Sequence, residues 1–272
     1  MLQEMGVHVW LPLPEAPAGE MSADAIENIA IAALQTGAAA QKASNSPARA
    51  PAPRAAAPAA PGVSGVVPEG IAQMDWPMLA QTVAGCEACK LCTGRRAPVF
   101  GGASAPGQAE WLVLGDPPDD AEERAGTPFA DQAGQLLDNM LKAVGVSRRE
   151  AGVNGAAAAY VTNVVKCRPA VVRMPDPQEL ATCAHYLRRE VALVQPKVIL
   201  AMGRLAAQSL LQDSLPGVAS IPLGKLRGQI YRYQGIPVVV TYHPTYLLRT
   251  QQDKARAWAD LCLALDEARR GG

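Results

Sequence analysis

The amino-acid sequence predicts an α/β fold with three layers (α/β/α) around a central parallel sheet of four strands. From about Trp76 onward, short apolar runs alternate with longer segments of helical periodicity, which is typical of a parallel sheet covered by helices. Hydrophobic residues make up 49% of the 272 residues, enough for a substantial core. A stretch of almost only Ala, Pro, Gly and Ser precedes this region and predicts a disordered linker.

Three regions follow one another along the chain. Residues 1–35 form a candidate docking peptide, apolar and proline-bounded over residues 1–14, and a short helix over residues 22–35. Residues 36–75 form the Ala/Pro-rich linker, which cannot bury enough side chains to offset the entropy of ordering. Residues 76–270 are predicted to form the globular domain.

The elements of this domain are assigned from the period of its apolar residues. Apolar runs bounded by turn residues predict four strands, over residues 111–115, 160–164, 197–202 and 238–242. Segments with a helical period predict four helices, over residues 133–144, 177–194, 203–212 and 253–269.

Unusual residues stand at the carboxyl ends of three of the predicted strands. They are Gly115, Asp116 and Pro117 at the first strand, Asn163 at the second and His243 at the fourth. In open parallel sheets, the reactive groups collect at the carboxyl ends of the strands. We therefore expect these residues to share one edge of the sheet.

The net formal charge of the whole chain is zero, which alone argues against nucleic acid, but the charge is unevenly distributed. Residues 1–85 carry three basic and seven acidic side chains, so residues 86–272 carry 22 basic and 18 acidic ones. A mildly basic domain can bind phosphates through a local patch, although this bias does not establish a nucleic-acid partner.

The sequence shows neither a secretory signal nor an apolar run of about eighteen residues, so a cytoplasmic protein without a membrane span is expected. Six cysteines in such a chain favour metal binding or catalysis over disulfides. The last of them lies among apolar neighbours in the final predicted helix and is assigned to core packing.

Cys86 and Cys89 form a Cys-x2-Cys pair, and Cys167 and Cys183 follow far downstream. Two neighbouring thiolates on a turn, joined by two from elsewhere in the fold, suit iron or zinc. The spacing alone does not choose between these metals. It also leaves Cys92, which closely follows the pair, as an alternative ligand.

Four segments of the domain form motifs: GDPPDDAEERAGTPFADQAGQLLDNML at 115–141, TNVVKCRP at 162–169, CAHYL at 183–187 and YHPTYLLR at 242–249. Together they resemble the family 4 (iron–sulfur) uracil-DNA glycosylases, over about residues 77–265. The resemblance implies a three-layer α/β/α fold. It also implies a role in base excision repair, the removal of uracil from single- and double-stranded DNA.

The same resemblance implies a [4Fe–4S] cluster. By position, its ligands would be Cys86, Cys89, Cys167 and Cys183, whereas Cys92 falls where the family often has a cysteine that is not a ligand. The cluster is expected to be structural, because none of its ligands is expected to touch the base.

A glycosylase must extrude the target nucleotide, so it needs an aromatic platform, an amide that reads the base edge and a donor for the developing oxyanion. Phe129 fits the platform and Asn163 the amide, with Gly115 beside the base. His243, which follows an apolar strand, fits the oxyanion donor. Asp116 is expected to position the attacking water and to stabilise the sugar cation.

The segment after His243 is expected to bind the DNA backbone. Thr245 and Arg249 would contact phosphates. Leu248, or alternatively Leu247, would be the apolar wedge that fills the vacated position in the base stack.

The first motif departs from the Gly-Glu-Ala-Pro-Gly pattern of the family. Pro117 removes a backbone N–H. Asp119 replaces a glycine and adds a negative side chain near the expected sugar and phosphate, and Asp131 replaces another glycine. One interpretation is a variant catalytic solution, in which Asp116 or Asp119 positions the water. The alternative is a chain with impaired catalysis that acts as a replisome or DNA-binding component.

The N-terminal segment LQEMGVHVW, residues 2–10, resembles the N-terminal peptide of the psi subunit of the bacterial replicative clamp loader. An apolar peptide anchored by Trp10 and held on a long linker is suited to docking on a partner. The alternative is a terminal strand or helix that packs on the chain's own domain.

Overall fold

The structure is a computed structural model, and it describes residues 65–101, 109–149, 156–171 and 173–271. The predicted docking peptide with its clamp-loader resemblance, and most of the predicted linker, lie outside the described residues.

The folded domain begins earlier than the predicted boundary at residue 76. A short 3₁₀ turn spans Ile71–Gln73, and the side chain of Ile71 is buried. The Nε of Arg189 donates a hydrogen bond to the carbonyl oxygen of Met74 at 2.5 Å. These contacts fix the last residues of the predicted linker on the domain.

A sheet of six strands forms the centre of the domain. The strands are β1 (Trp111–Gly115), β2 (Val146–Ser147), β3 (Ala157–Asn163), β4 (Val198–Met202), β5 (Ile230–Tyr233) and β6 (Ile236–Thr241). Their order is β2-β3-β1-β4-β6-β5, and all neighbours are parallel except β5 and β6. The four predicted strands are confirmed as β3, β1, β4 and β6, side by side. The prediction of a purely parallel, four-stranded sheet is corrected by the edge strands β2 and β5.

Helices surround this sheet. They are α1 (Trp76–Ala84), α2 (Asp120–Ala125), α3 (Gln132–Ala143), α4 (Pro177–Val194), α5 (Arg204–Leu211), α6 (Leu223–Leu226), α7 (Pro244–Arg249) and α8 (Lys254–Arg270). The four predicted helices are α3, α4, α5 and α8, and the observed bounds agree to within one residue. None of the described helices combines the length and apolarity that a membrane span requires.

Side chains alternate along the strands and enter two apolar clusters, one on each face of the sheet. Leu112 and Leu114 of β1 pack with residues of α4 and α5. Trp111 and Val113 of the same strand pack with residues of α3 and α8. Because both faces are buried, the strands appear in the sequence as continuous apolar runs. The predicted three-layer arrangement is confirmed.

Candidate active site

Gly115 lies where three functional segments meet at the carboxyl edge of the sheet. It stands opposite Asn163 in the register of β1 and β3. A Cβ atom on Gly115 would lie 2.6 Å from Cζ of Phe129 and 3.7 Å from Nε2 of His243. A side chain at this position would therefore displace the Phe129 ring. The structure brings together four residues that the sequence assigned to one site.

The rings of Phe129 and His243 stack, with centroids 5.1 Å apart and planes inclined by 22°. Phe129 is only 2% exposed, and its φ of 53° lies in the left-handed region. This conformation costs a non-glycine residue on the order of 1–3 kcal/mol and persists only where surrounding contacts impose it.

Glu122 is the site residue that the sequence reasoning missed. Its Oε1 accepts hydrogen bonds from the backbone N–H of Phe129 at 2.5 Å and from Nδ2 of Asn163 at 3.3 Å. Burial raises the pKa of its carboxyl group. The spacing Asp119-x-x-Glu122 ahead of a helix is that of a capping box, and it was the signal that could have located this residue.

Asn163 is 1% exposed and holds its side-chain amide in a fixed orientation. Its Nδ2 donates to the carbonyl oxygen of Asp116 at 2.8 Å as well as to Glu122. Its Oδ1 is buried and has no hydrogen-bond partner in the described structure. The site therefore presents one unpaired amide acceptor.

His243 is held by the backbone that follows it. The N–H of Thr245 donates to Nδ1 of His243 at 3.3 Å, so the neutral ring carries its proton on Nε2. Burial lowers the pKa of His243 to about 4, an effect that the charge of Asp131 partly opposes. The neutral imidazole is therefore the dominant form at pH 7, with Nε2–H as its donor.

The carboxylate of Asp116 lies beside Gly203 and the first turn of α5. A Cβ atom on Gly203 would lie 2.5 Å from its Oδ2. Burial raises the pKa of Asp116 to about 6, and hydrogen bonds from the backbone of Ala206 and Leu205 partly oppose this effect. Oδ1 is buried without a partner, so it remains available to accept a hydrogen bond.

Two substituted acidic residues of the first motif act as helix caps. The side chain of Asp119 accepts a hydrogen bond from the N–H of Glu122 at 2.9 Å and begins α2 in a reciprocal capping box. Asp131 accepts from the N–H of Ala133 at 2.8 Å and begins α3. Both carboxylates accept hydrogen bonds from backbone N–H groups, while the charge of Asp131 also acts on His243.

The short helix α7 presents the residues expected to contact DNA. Thr245, Leu248 and Arg249 are exposed, with Leu248 39% exposed. Leu247 is completely buried in the core beneath the helix, which excludes the alternative wedge. Tyr246, which the sequence did not assign to the site, is 42% exposed on the same helix.

Four of the cysteines border the core cluster on the α4 face of the sheet: Cys86, Cys89, Cys167 and Cys183. Cys167 lies within electrostatic range of Cys86 and Cys89, and Cys183 within range of Cys89 and Cys167. Within the described residues, no three Cys, His, Asp or Glu side chains converge as they would around a single metal ion. A cluster whose cysteines each bind a different iron demands no such convergence.

The polar surroundings of these thiols also fit an iron–sulfur cluster. Nη1 of Arg95 donates to Sγ of Cys167 at 2.8 Å, and the backbone N–H of Lys166 donates to Sγ of Cys183 at 3.4 Å. Hydrogen bonds of this kind to ligand sulfurs stabilise and tune such clusters. Burial raises the pKa of Cys167 to about 11, so metal binding must release its proton.

The two remaining cysteines differ in their surroundings. Cys92 is buried and lies within electrostatic range of Cys86. Cys262 is half-buried on α8, with Asp266 as its charged neighbour.

Comparison of the sequence with known proteins identifies a family that matches this chain. The model of the "Uracil DNA glycosylase superfamily" matches residues 102–262. A type-4 uracil-DNA glycosylase of Pyrobaculum aerophilum is 32% identical over 198 residues, 70% of this chain and 93% of the relative. The type-4 enzyme of Thermotoga maritima is also 32% identical, over 66% of this chain and 86% of its own length.

A type-5 uracil-DNA glycosylase of Pyrobaculum aerophilum is 30% identical over 57% of this chain and 67% of the relative. The clamp-loader resemblance of residues 2–10 lies outside the family match and finds no support in these relatives. Because the family model covers more than half of the chain and the type-4 relatives align over most of their length, the chain belongs to the uracil-DNA glycosylase superfamily.

Proposed function

We propose that the protein is a DNA-repair glycosylase that hydrolyses the N-glycosidic bond of uracil in single- and double-stranded DNA. The observation that carries this proposal is the convergence of Phe129, Asn163 and His243 around Gly115 at one edge of the sheet. The names of the type-4 relatives support the same activity.

Base recognition follows from the unpaired acceptor in the site. Once the nucleotide is extruded, the uracil base stacks on Phe129, and its N3–H donates to Oδ1 of Asn163. Cytosine carries no hydrogen on N3, so the same acceptor would meet a lone pair. Because the Asn163 amide is held by Asp116 and Glu122, it cannot easily rotate to correct this mismatch.

Bond cleavage leaves negative charge on the departing uracil and positive charge on the sugar. At pH 7 the imidazole of His243 is already neutral, and its Nε2–H donates a hydrogen bond that stabilises the developing oxyanion. Asp116, with one unpaired carboxylate oxygen, positions the attacking water and stabilises the sugar cation when ionised.

The exposed face of α7 binds the DNA backbone and the distorted stack. Thr245 and Arg249 contact phosphates, and Leu248 enters the position that the extruded base leaves. Leu247 anchors this helix to the core, so the exposed side chains are carried on a fixed support.

The four cysteines Cys86, Cys89, Cys167 and Cys183 would hold the [4Fe–4S] cluster that the type-4 resemblance implies. The group would supply structural cross-links between distant parts of the chain rather than a step of the reaction. Arg95 would bind the sulfur of Cys167 and two backbone carbonyl oxygens, which ties the first pair of cysteines to the third.

The test is uracil release from a labelled oligonucleotide, both single-stranded and with uracil paired to guanine. We expect release by the wild-type protein and a loss of about 100-fold or more in Asn163→Ala, the size of effect seen when one transition-state hydrogen bond is removed. Iron content and visible absorbance serve as the control for intact folding. No release by an iron-loaded wild-type protein, or full activity in Asn163→Ala, would contradict the proposal.

A further inference from the structure

Arg148 is a nearly buried arginine, 8% exposed, directly after β2. Its guanidinium donates to the carbonyl oxygens of Pro128 at 2.8 Å, Phe129 at 2.9 Å and Gly134 at 3.3 Å. Its Nε also donates to Asp138 of α3 at 2.5 Å. Arg148 thus binds two carbonyl groups of the loop before α3 and two residues of α3 itself, so it fixes the path of the loop relative to the helix.

This loop contains Phe129, the proposed aromatic platform, whose φ lies in the left-handed region. The N–H of Phe129 is bound by Glu122, and its carbonyl oxygen is bound by Arg148. Two charged side chains thus hold the peptide groups on both sides of the residue whose φ is unfavourable. Charge-assisted hydrogen bonds of this kind are stronger than those between neutral groups.

Helix α3 also packs against the carbonyl group of Phe129 and the guanidinium of Arg148. A Cβ atom on Gly134 would lie 1.8 Å from the carbonyl oxygen of Phe129 and 2.9 Å from Nη2 of Arg148. The carbonyl oxygen of Phe129 therefore lies directly against α3, and the guanidinium of Arg148 lies beside it.

We propose that Arg148 is a positioning residue for the glycosylase reaction: by binding the carbonyl oxygens of Pro128 and Phe129, it holds the Phe129 ring where the extruded base must stack. This inference rests on the proposed function. Arg148 touches the backbone of the platform rather than the base, so it acts through Phe129. Its loss should weaken the chemical step more than the encounter with DNA.

The neighbouring Arg149 provides a matched control. It is 69% exposed, and it binds Asp138 through Nε at 3.1 Å. Arg149→Met removes the same charge from the same segment without touching the carbonyl of Phe129. Arg148→Lys is the conservative variant, since lysine keeps the charge but cannot bind several carbonyls in a fixed fork.

The experiment compares single-turnover uracil release at saturating DNA. We expect Arg148→Met to lower the rate by about 10- to 100-fold, Arg148→Lys to lower it less, and Arg149→Met to leave it near wild type. In a Phe129→Leu background, Arg148→Met should lower the rate of uracil release little further, because Arg148 acts through Phe129. Equal losses in both backgrounds, or equal losses in Arg148→Met and Arg149→Met, would overturn the proposal.

Hydrogen exchange separates this inference from the proposed function. Amide exchange over residues 127–133 should accelerate in Arg148→Met and in Arg148→Lys but not in Arg149→Met, whether or not uracil is released. If the wild-type protein releases no uracil, the proposed function fails, but this measurement still tests whether Arg148 holds the backbone around Phe129. Unchanged amide exchange in both Arg148 variants would refute the positioning role of Arg148, even if the enzyme is active.

Discussion

Asp116 and His243 are two partly buried titratable residues whose pKa values burial moves in opposite directions. The pKa of Asp116 rises to about 6 and the pKa of His243 falls to about 4, because the charged form of each loses solvation. At pH 7 the carboxyl group is therefore mostly ionised and the imidazole is neutral. These are the protonation states that water positioning and oxyanion stabilisation require, and the site reaches them without a direct ion pair between the two groups.

The activity should depend on pH through Asp116. As the pH rises through about 6, its carboxylate forms and the single-turnover rate of uracil release should increase to a plateau. Asp116→Asn should lower the plateau by about 100-fold or more and abolish the inflection, since the amide does not titrate. A wild-type rate that is flat through this region, or an inflection that persists in Asp116→Asn, would remove Asp116 from the reaction.

The sequence predicted Phe129, Asn163 and His243 as site residues because each is an unusual residue in a recognisable position, after a strand or within a family motif. It could not locate Arg148, because the importance of this residue lies in hydrogen bonds to the backbone of a loop about twenty residues earlier in the chain. Nor could it show that Leu247 is buried while Leu248 is exposed, since two adjacent leucines on a short helix look alike.

At the scale of elements, the acidic first motif is a helix start rather than a repulsive loop. Asp119 begins α2, and the same capping box directs Glu122 to its place beneath Phe129. The substitution of the family glycine by Asp119 therefore connects a local capping interaction with the geometry of the base platform.

Replacement of Asp119 should reveal this connection. Asp119→Ala should lower the free energy of unfolding by about 1 kcal/mol, whereas Asp119→Gly, which restores the family residue, should lower it by only a few tenths. Thermal and urea unfolding measure both. If Asp119→Ala proves as stable as the wild type and also binds DNA much more tightly, the carboxylate acts as a free surface charge and the capping account is wrong.

The elements with a clear apolar pattern were predicted from the sequence, whereas the two edge strands were not. Helices such as α4 carry a full apolar period and begin with a recognisable cap, here Asp176 with a proline next to it. The edge strand β5, Ile230–Tyr233, alternates exposed and half-buried side chains and lacks the apolar run of a central strand. The strand β2 has only two residues, too few for any periodic signal.

At the scale of the whole molecule, the four cysteines proposed to hold a cluster come from separate parts of the chain. Cys86 and Cys89 precede β1, Cys167 follows β3 and Cys183 lies within α4. A metal cluster that binds only the folded arrangement adds its binding free energy to the stability of the domain.

Loss of one cluster ligand should therefore affect both colour and stability. We expect the wild-type protein to contain iron and acid-labile sulfide in equal amounts with broad visible absorbance, and Cys183→Ser to lose both and unfold at a lower temperature. Cys262→Ser is the control, since this half-buried thiol lies on α8. A colourless wild-type protein with stoichiometric zinc would show that the donor set holds a different metal.

The strand order also has a consequence for the growing chain on the ribosome. Among the described residues, the first strand to be made is β1, which lies in the middle of the sheet, and its second neighbour, β4, is synthesised only after Cys183 has been added. For some seconds of translation, at about 5–20 residues per second, one edge of β1 stays unpaired. An open edge of this kind invites pairing with other chains. All four proposed iron ligands, Cys86, Cys89, Cys167 and Cys183, have been made by then, so every proposed ligand precedes the strand that covers this edge.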